Sequence, residues 1–184
     1  MRYFIAFFTA LGLLILVIVL LLHSGGKPKV HVTPKTLDSY STTDAEAVMT
    51  IDGPVNAAQN HQQVRITVDR NNVAFEQLKG YDGSVTNMQH FANTDNAYAV
   101  FLLSLAHAGF TKGDNSSSLS DERGICPLGD RYIFQFRQDG QDIERYWATS
   151  CGNPKTYLGV LNLTITLFQN QVPNYTTLTQ NFSL

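Results

Sequence analysis

The chain begins with an unbroken apolar run. From Tyr3 to Leu22 it reads YFIAFFTALGLLILVIVLLL, with no charged residue and with Thr9 as the only strongly polar interruption. At 1.5 Å per helical residue these positions span a hydrocarbon core of about 30 Å, and a helix apolar on every face is stable only in lipid. The pattern predicts a transmembrane anchor at 1–23, in contact with membrane lipid through 3–22. A cleaved signal has a shorter apolar region of roughly 7 to 15 residues; secretion after cleavage near Ser24 is the alternative. No cysteine lies near the end of the run to accept a lipid, which excludes a lipoprotein.

Past this run the periodicity stops. The stretch HSGGKPKVHVTPKTLDSYSTT is rich in Gly, Pro, Ser and Thr and reads as a flexible stalk at 24–43, with one domain at 44–184. Within that domain Ala47 to Ile51 reads as a strand ended by Asp52-Gly53-Pro54. Val64, Ile66 and Val68 alternate with polar neighbours as in a half-buried strand. Arg70-Asn71-Asn72 supplies a tight turn, so 64–78 reads as a hairpin, closed by Gly80-Tyr81-Asp82-Gly83.

The clearest soluble element is a helix through Ala108. Asn93 or Thr94 can cap it, Asp95 lies in its first turn, and Gly109 follows it as a left-handed stop. Tyr98, Phe101, Leu102 and Leu105 make its apolar face. Tyr132 to Phe136 and Ile143 to Thr149 flank Gln138-Asp139-Gly140-Gln141, a hairpin signature at 131–149. Leu158 to Val172 fits both periods; its helical spacing and Pro173 select a helix, with a final strand after it. These elements predict an α+β fold of antiparallel hairpins packed on one or two helices.

Charge narrows the partners. The net charge is -2, and Lys27, Lys29 and Lys35 are scattered, so the electrostatic footprint of a nucleic-acid binder is missing and nucleic acid is excluded. The same lysines oppose Arg2 across the apolar run, and the positive-inside rule then votes weakly against an external domain. The two cysteines vote the other way. Cys126 and Cys151 flank a hairpin pattern, and a bridge between them would close a loop of ~25 residues, contribute on the order of 3 kcal/mol, and require an oxidising compartment. We therefore expect a single-pass plasma-membrane protein with its N-terminus cytoplasmic and its domain outside.

Catalytic signatures are missing. There is no G-x-S-x-G and no H-E-x-x-H, and neither cysteine has a CxxC partner or a neighbouring histidine. Of the five histidines, His23 borders the stalk and His31 lies in it, His61 lies in a polar loop, and His90 and His107 lie at either end of the helix. Asp114 to Glu122 is rich in oxygen but lacks the spacing of a calcium loop. No catalytic residue, cofactor or metal is assigned, and an interaction or structural role in the cell envelope, with a protein partner there, is the leading expectation. A small-ligand receptor or hydrolase is the second alternative.

One segment carries a resemblance. CPLGDRYIFQFRQDGQDIERYWATSC, residues 126–151, resembles the subtilisin-inhibitor-like family: a Cys-Pro-X segment leads into a hairpin whose far strand ends in the partner cysteine. The resemblance implies a tethered protease inhibitor as the first alternative. Pro127 would stiffen a reactive loop made with Leu128 and Gly129, and Leu128 would enter a specificity pocket. The family's second disulfide has no counterpart in a chain with two cysteines.

Overall fold

Strand β1 (Glu46–Asp52) has the sequence EAVMTID, and its near-continuous apolar run follows from its place: it is central and buried on both faces. β2 (Gln62–Val68), β3 (Asn72–Lys79) and β4 (Ser84–Ala92) run outward from it as a meander. After a helix the chain returns to place β5 (Arg131–Gln138) on the other side of β1, followed by β6 (Gln141–Thr149). All pairings are antiparallel, giving one six-stranded sheet in the order β4-β3-β2-β1-β5-β6. The computed structural model describes residues 36–182. The apolar run at 3–22 and most of the expected stalk lie outside the described residues. Among the described residues no helix is long and apolar enough to cross a membrane.

Local chemistry fixes the turns. Asp69 Oδ1 accepts from the amides of Asn71 and Asn72 (2.6 and 2.8 Å) between β2 and β3. Asp139 and Gly140 have φ of 53° and 74°, the left-handed pair that a two-residue hairpin requires between β5 and β6. Helix α1 (Asp95–Ala108) is capped by Thr94, whose hydroxyl accepts from the Ala97 N–H, and is stopped by Gly109 at φ 78°. Phe110 then turns back into the core, its N–H donating to the Leu105 carbonyl.

Helix α2 (Leu161–Gln169) resolves the segment whose sequence fits both periods. Thr164 and Phe168, one turn apart, are buried, and the Thr164 hydroxyl bonds that of Tyr157 at 2.6 Å. Phe168 lies against Phe101 and Phe110 (ring centroids 5.2 and 5.8 Å), so the core between sheet and helices is built on aromatic rings. Met49, Ile66 and Phe75 approach it from the sheet.

The fold departs from the sequence reading in three places. Residues 84–92 form strand β4, which no pattern in the sequence marks; its exposure removes the burial alternation by which strands are recognised. Among the described residues no strand follows α2. Instead Tyr175–Thr179 forms a short helix α3, fixed where Gln77 Nε2 donates to the Leu178 carbonyl at 2.8 Å and Tyr175 packs edge-on against Phe75. The packed region also begins before Asp44: Leu37–Tyr40 is a 3-10 turn, Leu37 is buried in the core, and Tyr40 packs on Phe136.

The face of the sheet away from the helices is also covered in part. Strand register puts Trp147 on that face, opposite Ile133, yet its side chain is buried. The loop after α1 folds over it: Trp147 Nε1 donates to the Leu119 carbonyl (2.8 Å) and Arg145 Nη2 to both carboxylate oxygens of Glu122 (2.7 and 2.8 Å).

Candidate functional site

β1 ends at Asp52, β2 begins at Gln62, β3 ends at Lys79, β4 begins at Ser84, β5 begins at Arg131 and β6 ends at Thr149. The loops after β1, β3 and β6 and the loop before β5 therefore gather at one end of the sheet. Loops held on a rigid sheet are where recognition residues are usually placed. The chain enters β1 at the opposite end.

Cys126 and Cys151 form a disulfide at this loop end, with Cα atoms 5.8 Å apart. Between Cys126 and Gly129 the backbone makes a tight turn closed by the Gly129 N–H donating to the Cys126 carbonyl (3.1 Å), with Pro127 at the position that favours its fixed φ. Three more bonds hold the turn down. Val55 N–H donates to the Pro127 carbonyl (2.7 Å), Ser150 N–H to the Asp130 carbonyl (2.9 Å), and Asp130 N–H to the Ser150 hydroxyl (3.0 Å). At Gly129 a Cβ would collide with Ser150 Oγ and Cys126 Sγ, so the absent side chain is what lets the turn close on the disulfide. With its backbone held at both ends, the turn presents Leu128, 88 % exposed, at its tip.

Beneath the turn lies a buried ionic cluster that sequence reasoning missed. Strand register sets Asp52 opposite Arg131. Arg131 Nη2 meets Asp52 Oδ2 at 2.6 Å and donates to the Gly53 carbonyl at 2.8 Å. The other carboxylate oxygen of Asp52 accepts from His61 Nε2 at 2.7 Å, and His61 Nδ1 faces the Pro54 carbonyl at 3.2 Å. The Tyr81 ring stacks on His61 at 4.1 Å, and its hydroxyl both donates to the Asn56 carbonyl and accepts from the Asn56 N–H. His61 and Arg131 are buried. His61 is fully buried with both ring nitrogens facing protein groups, so it has none to offer a substrate; the cluster is placed to hold the loop after β1 against the start of β5. Next to it, burial pushes the Asp130 carboxyl up, against the opposing hydrogen bond from Tyr132 and the charge of Arg131.

The other candidate groups are dispersed. Asp114 is spent on the Ser116 amide, Asp121 on Arg123, and Glu122 on Arg145, so the oxygen-rich loop is occupied by its own contacts. Among the described residues no group of three His, Cys, Asp or Glu side chains is placed to hold a metal. A cavity of about 190 Å³ between Asp114, Arg145 and Trp147 is smaller than the few hundred Å³ typical of small-molecule sites, and the larger hollows, about 540 Å³ along Thr94, Phe101 and Leu167 and about 460 Å³ beside Gly80 and Tyr81, are open to solvent. No protein-family model, curated protein or solved structure matches the chain.

Proposed function

We propose that this chain is a membrane-tethered, extracytoplasmic protein-interaction module whose recognition element is the disulfide-braced turn at Cys126–Gly129. The observation that carries the reading is Leu128: a large apolar side chain 88 % exposed, on a backbone held by the disulfide and four hydrogen bonds. Burying one such side chain in a partner contributes about 1.5–3 kcal/mol, and a turn already held in shape loses little further freedom on binding. Val55 and Tyr81, exposed on neighbouring loops at the same end, would widen the apolar contact.

A photo-crosslinking residue at position 128 in intact cells tests this. Adducts with an envelope protein are expected there and not from the same probe at Ile143, an exposed position on β6. Equal labelling at both positions, or none at 128, would refute the proposal.

A protease inhibitor is the second reading, favoured by the exposure of Leu128 beside Pro127 and the brace. It is the weaker of the two. The bond after Leu128 lies inside a closed turn, whereas a protease cleft takes up an extended segment. It predicts that the protein slows a subtilisin-like protease and that Leu128→Gly abolishes the effect; rapid cleavage at Leu128 without inhibition removes it.

A further inference from the structure

The sheet has two edges, and they are handled differently. At β6 the Trp147 carbonyl accepts from the amides of Thr156 and Tyr157 (2.9 and 2.8 Å), and the Trp147 N–H donates to the Thr156 hydroxyl (2.8 Å). The following segment thus closes that part of the edge, and the open part carries Asp142, Glu144 and Arg145. At the other edge β4 reads SVTNMQHFA: nine residues without Asp, Glu, Lys, Arg or Pro, exposed along most of its length, with Val85 and Met88 each 46 % exposed. Every other strand contains at least one charged residue. Exposed edges are normally blunted by charge, proline or a bulge, because their unpaired backbone groups accept another strand. β4 has only the irregularity at Thr86, where β3 passes from Gln77 to Leu78; Asn87, Met88 and Gln89 lie in its regular part.

We propose that β4 pairs antiparallel with β4 of a second copy of this chain, about a two-fold axis at Met88, so that two six-stranded sheets become one. Symmetry selects the second copy as occupant. A two-fold pairing sets the strand against itself, so any charge near the axis would meet its like, and β4 is the strand that carries none. In this register Met88 meets Met88, and Asn87 meets Gln89 twice, amide to amide, with a donor and an acceptor on each side. Asn87 and Gln89 pair with Gln77 and Phe75 of β3 and so share one face, while Met88 lies on the other. Centring on Met88 therefore joins like faces and keeps both helical layers on the same side of the combined sheet. A charged foreign peptide would find no counter-charge on this strand.

The full chain in detergent micelles supplies the test. The native cysteines are joined to each other, so Met88→Cys adds the one free thiol. Mild oxidation is expected to give a covalent dimer from Met88→Cys but not from His90→Cys, whose two copies would lie about 13 Å apart along the strands. Met88→Lys and Met88→Glu, each at an exposed position, should separately weaken self-association at least ~10-fold, and mixing them should restore it. Dimers held by another part of the chain would ignore both charges. The proposal is overturned by a monomeric wild type, by association indifferent to either charge, by equal crosslinking at 88 and 90, or by Met88→Cys joining another envelope protein and not itself.

Discussion

Replacing Asp52 by asparagine keeps the shape of the side chain and removes the charge that the loop end is built around. The carboxylate stands between Arg131 at 2.6 Å and His61 at 2.7 Å, and the Arg131 side chain is 4 % exposed. Asparagine has one acceptor oxygen for the two bonds that the carboxylate accepts, so one of them is lost at about 1 kcal/mol, and the guanidinium left buried without its ion-pair partner raises the total to about 3 kcal/mol, at the low end for a broken buried pair. For a domain of this size that corresponds to a fall in Tm of about 6–12 °C. Trp147 is the only tryptophan and is buried, so its fluorescence follows unfolding by guanidinium or heat directly. A second arm checks the cause: Arg131→Met should cost at least ~1 kcal/mol less in the Asp52→Asn background than in wild type. A loss below about 1 kcal/mol for Asp52→Asn, or strict additivity, would show that the pair does not hold this end of the domain.

Further predictions address other contacts. Replacing Cys126 and Cys151 together by serine should lower stability by about 3.5 kcal/mol, from the loop of 25 residues that the bridge closes; limited proteolysis should then cut near Leu128 faster than in wild type, and an unchanged cleavage rate would refute the bracing role. Burial first, and then the hydrogen bond to Glu144, push the Tyr146 phenol up to about 12. The protonated phenol therefore favours the fold, with its contribution complete below pH ~10 and lost as pH rises towards 12; unfolding free energies over that window should fall more steeply in wild type than in Tyr146→Phe, and parallel curves would count against it. Gly113→Ala places a methyl group within the Tyr146 ring and should cost about 1–3 kcal/mol in denaturant unfolding, whereas a neutral outcome would mean the ring moves freely.

Local signals made much of the fold legible. Helix α1 is written in contiguous residues: Thr94 caps it, Gly109 stops it, and Tyr98, Phe101, Leu102 and Leu105 share a face. Asp139-Gly140 marked the β5–β6 hairpin in the same way, and the disulfide joins the two cysteines that flank it. β4 was illegible because an exposed edge strand has no buried partner to impose alternation on its side chains. The segment of α2 satisfied two periods at once, and the choice between them is fixed by the buried contact between Thr164 and Tyr157, outside the helix itself. The candidate site divides similarly. Leu128 at a Cys-Pro turn was visible from sequence, whereas Asp52, His61 and Arg131 are brought together only by strand register, and no spacing rule connects them.

The position of β1 also governs how the chain must assemble. Its partner on one side, β2, follows within ten residues, but the residue opposite Asp52 on the other side is Arg131, 79 positions later. At synthesis rates of roughly 5–20 residues per second, that interval lasts about 4 to 16 s. Throughout it the most apolar strand of the sheet has a bare hydrogen-bonding edge, which an early helix cannot cover and β5 alone can fill. The nascent chain is thus at greatest risk of joining a neighbour while its middle third is emerging, and the cysteines can meet in their native place only after that risk has passed.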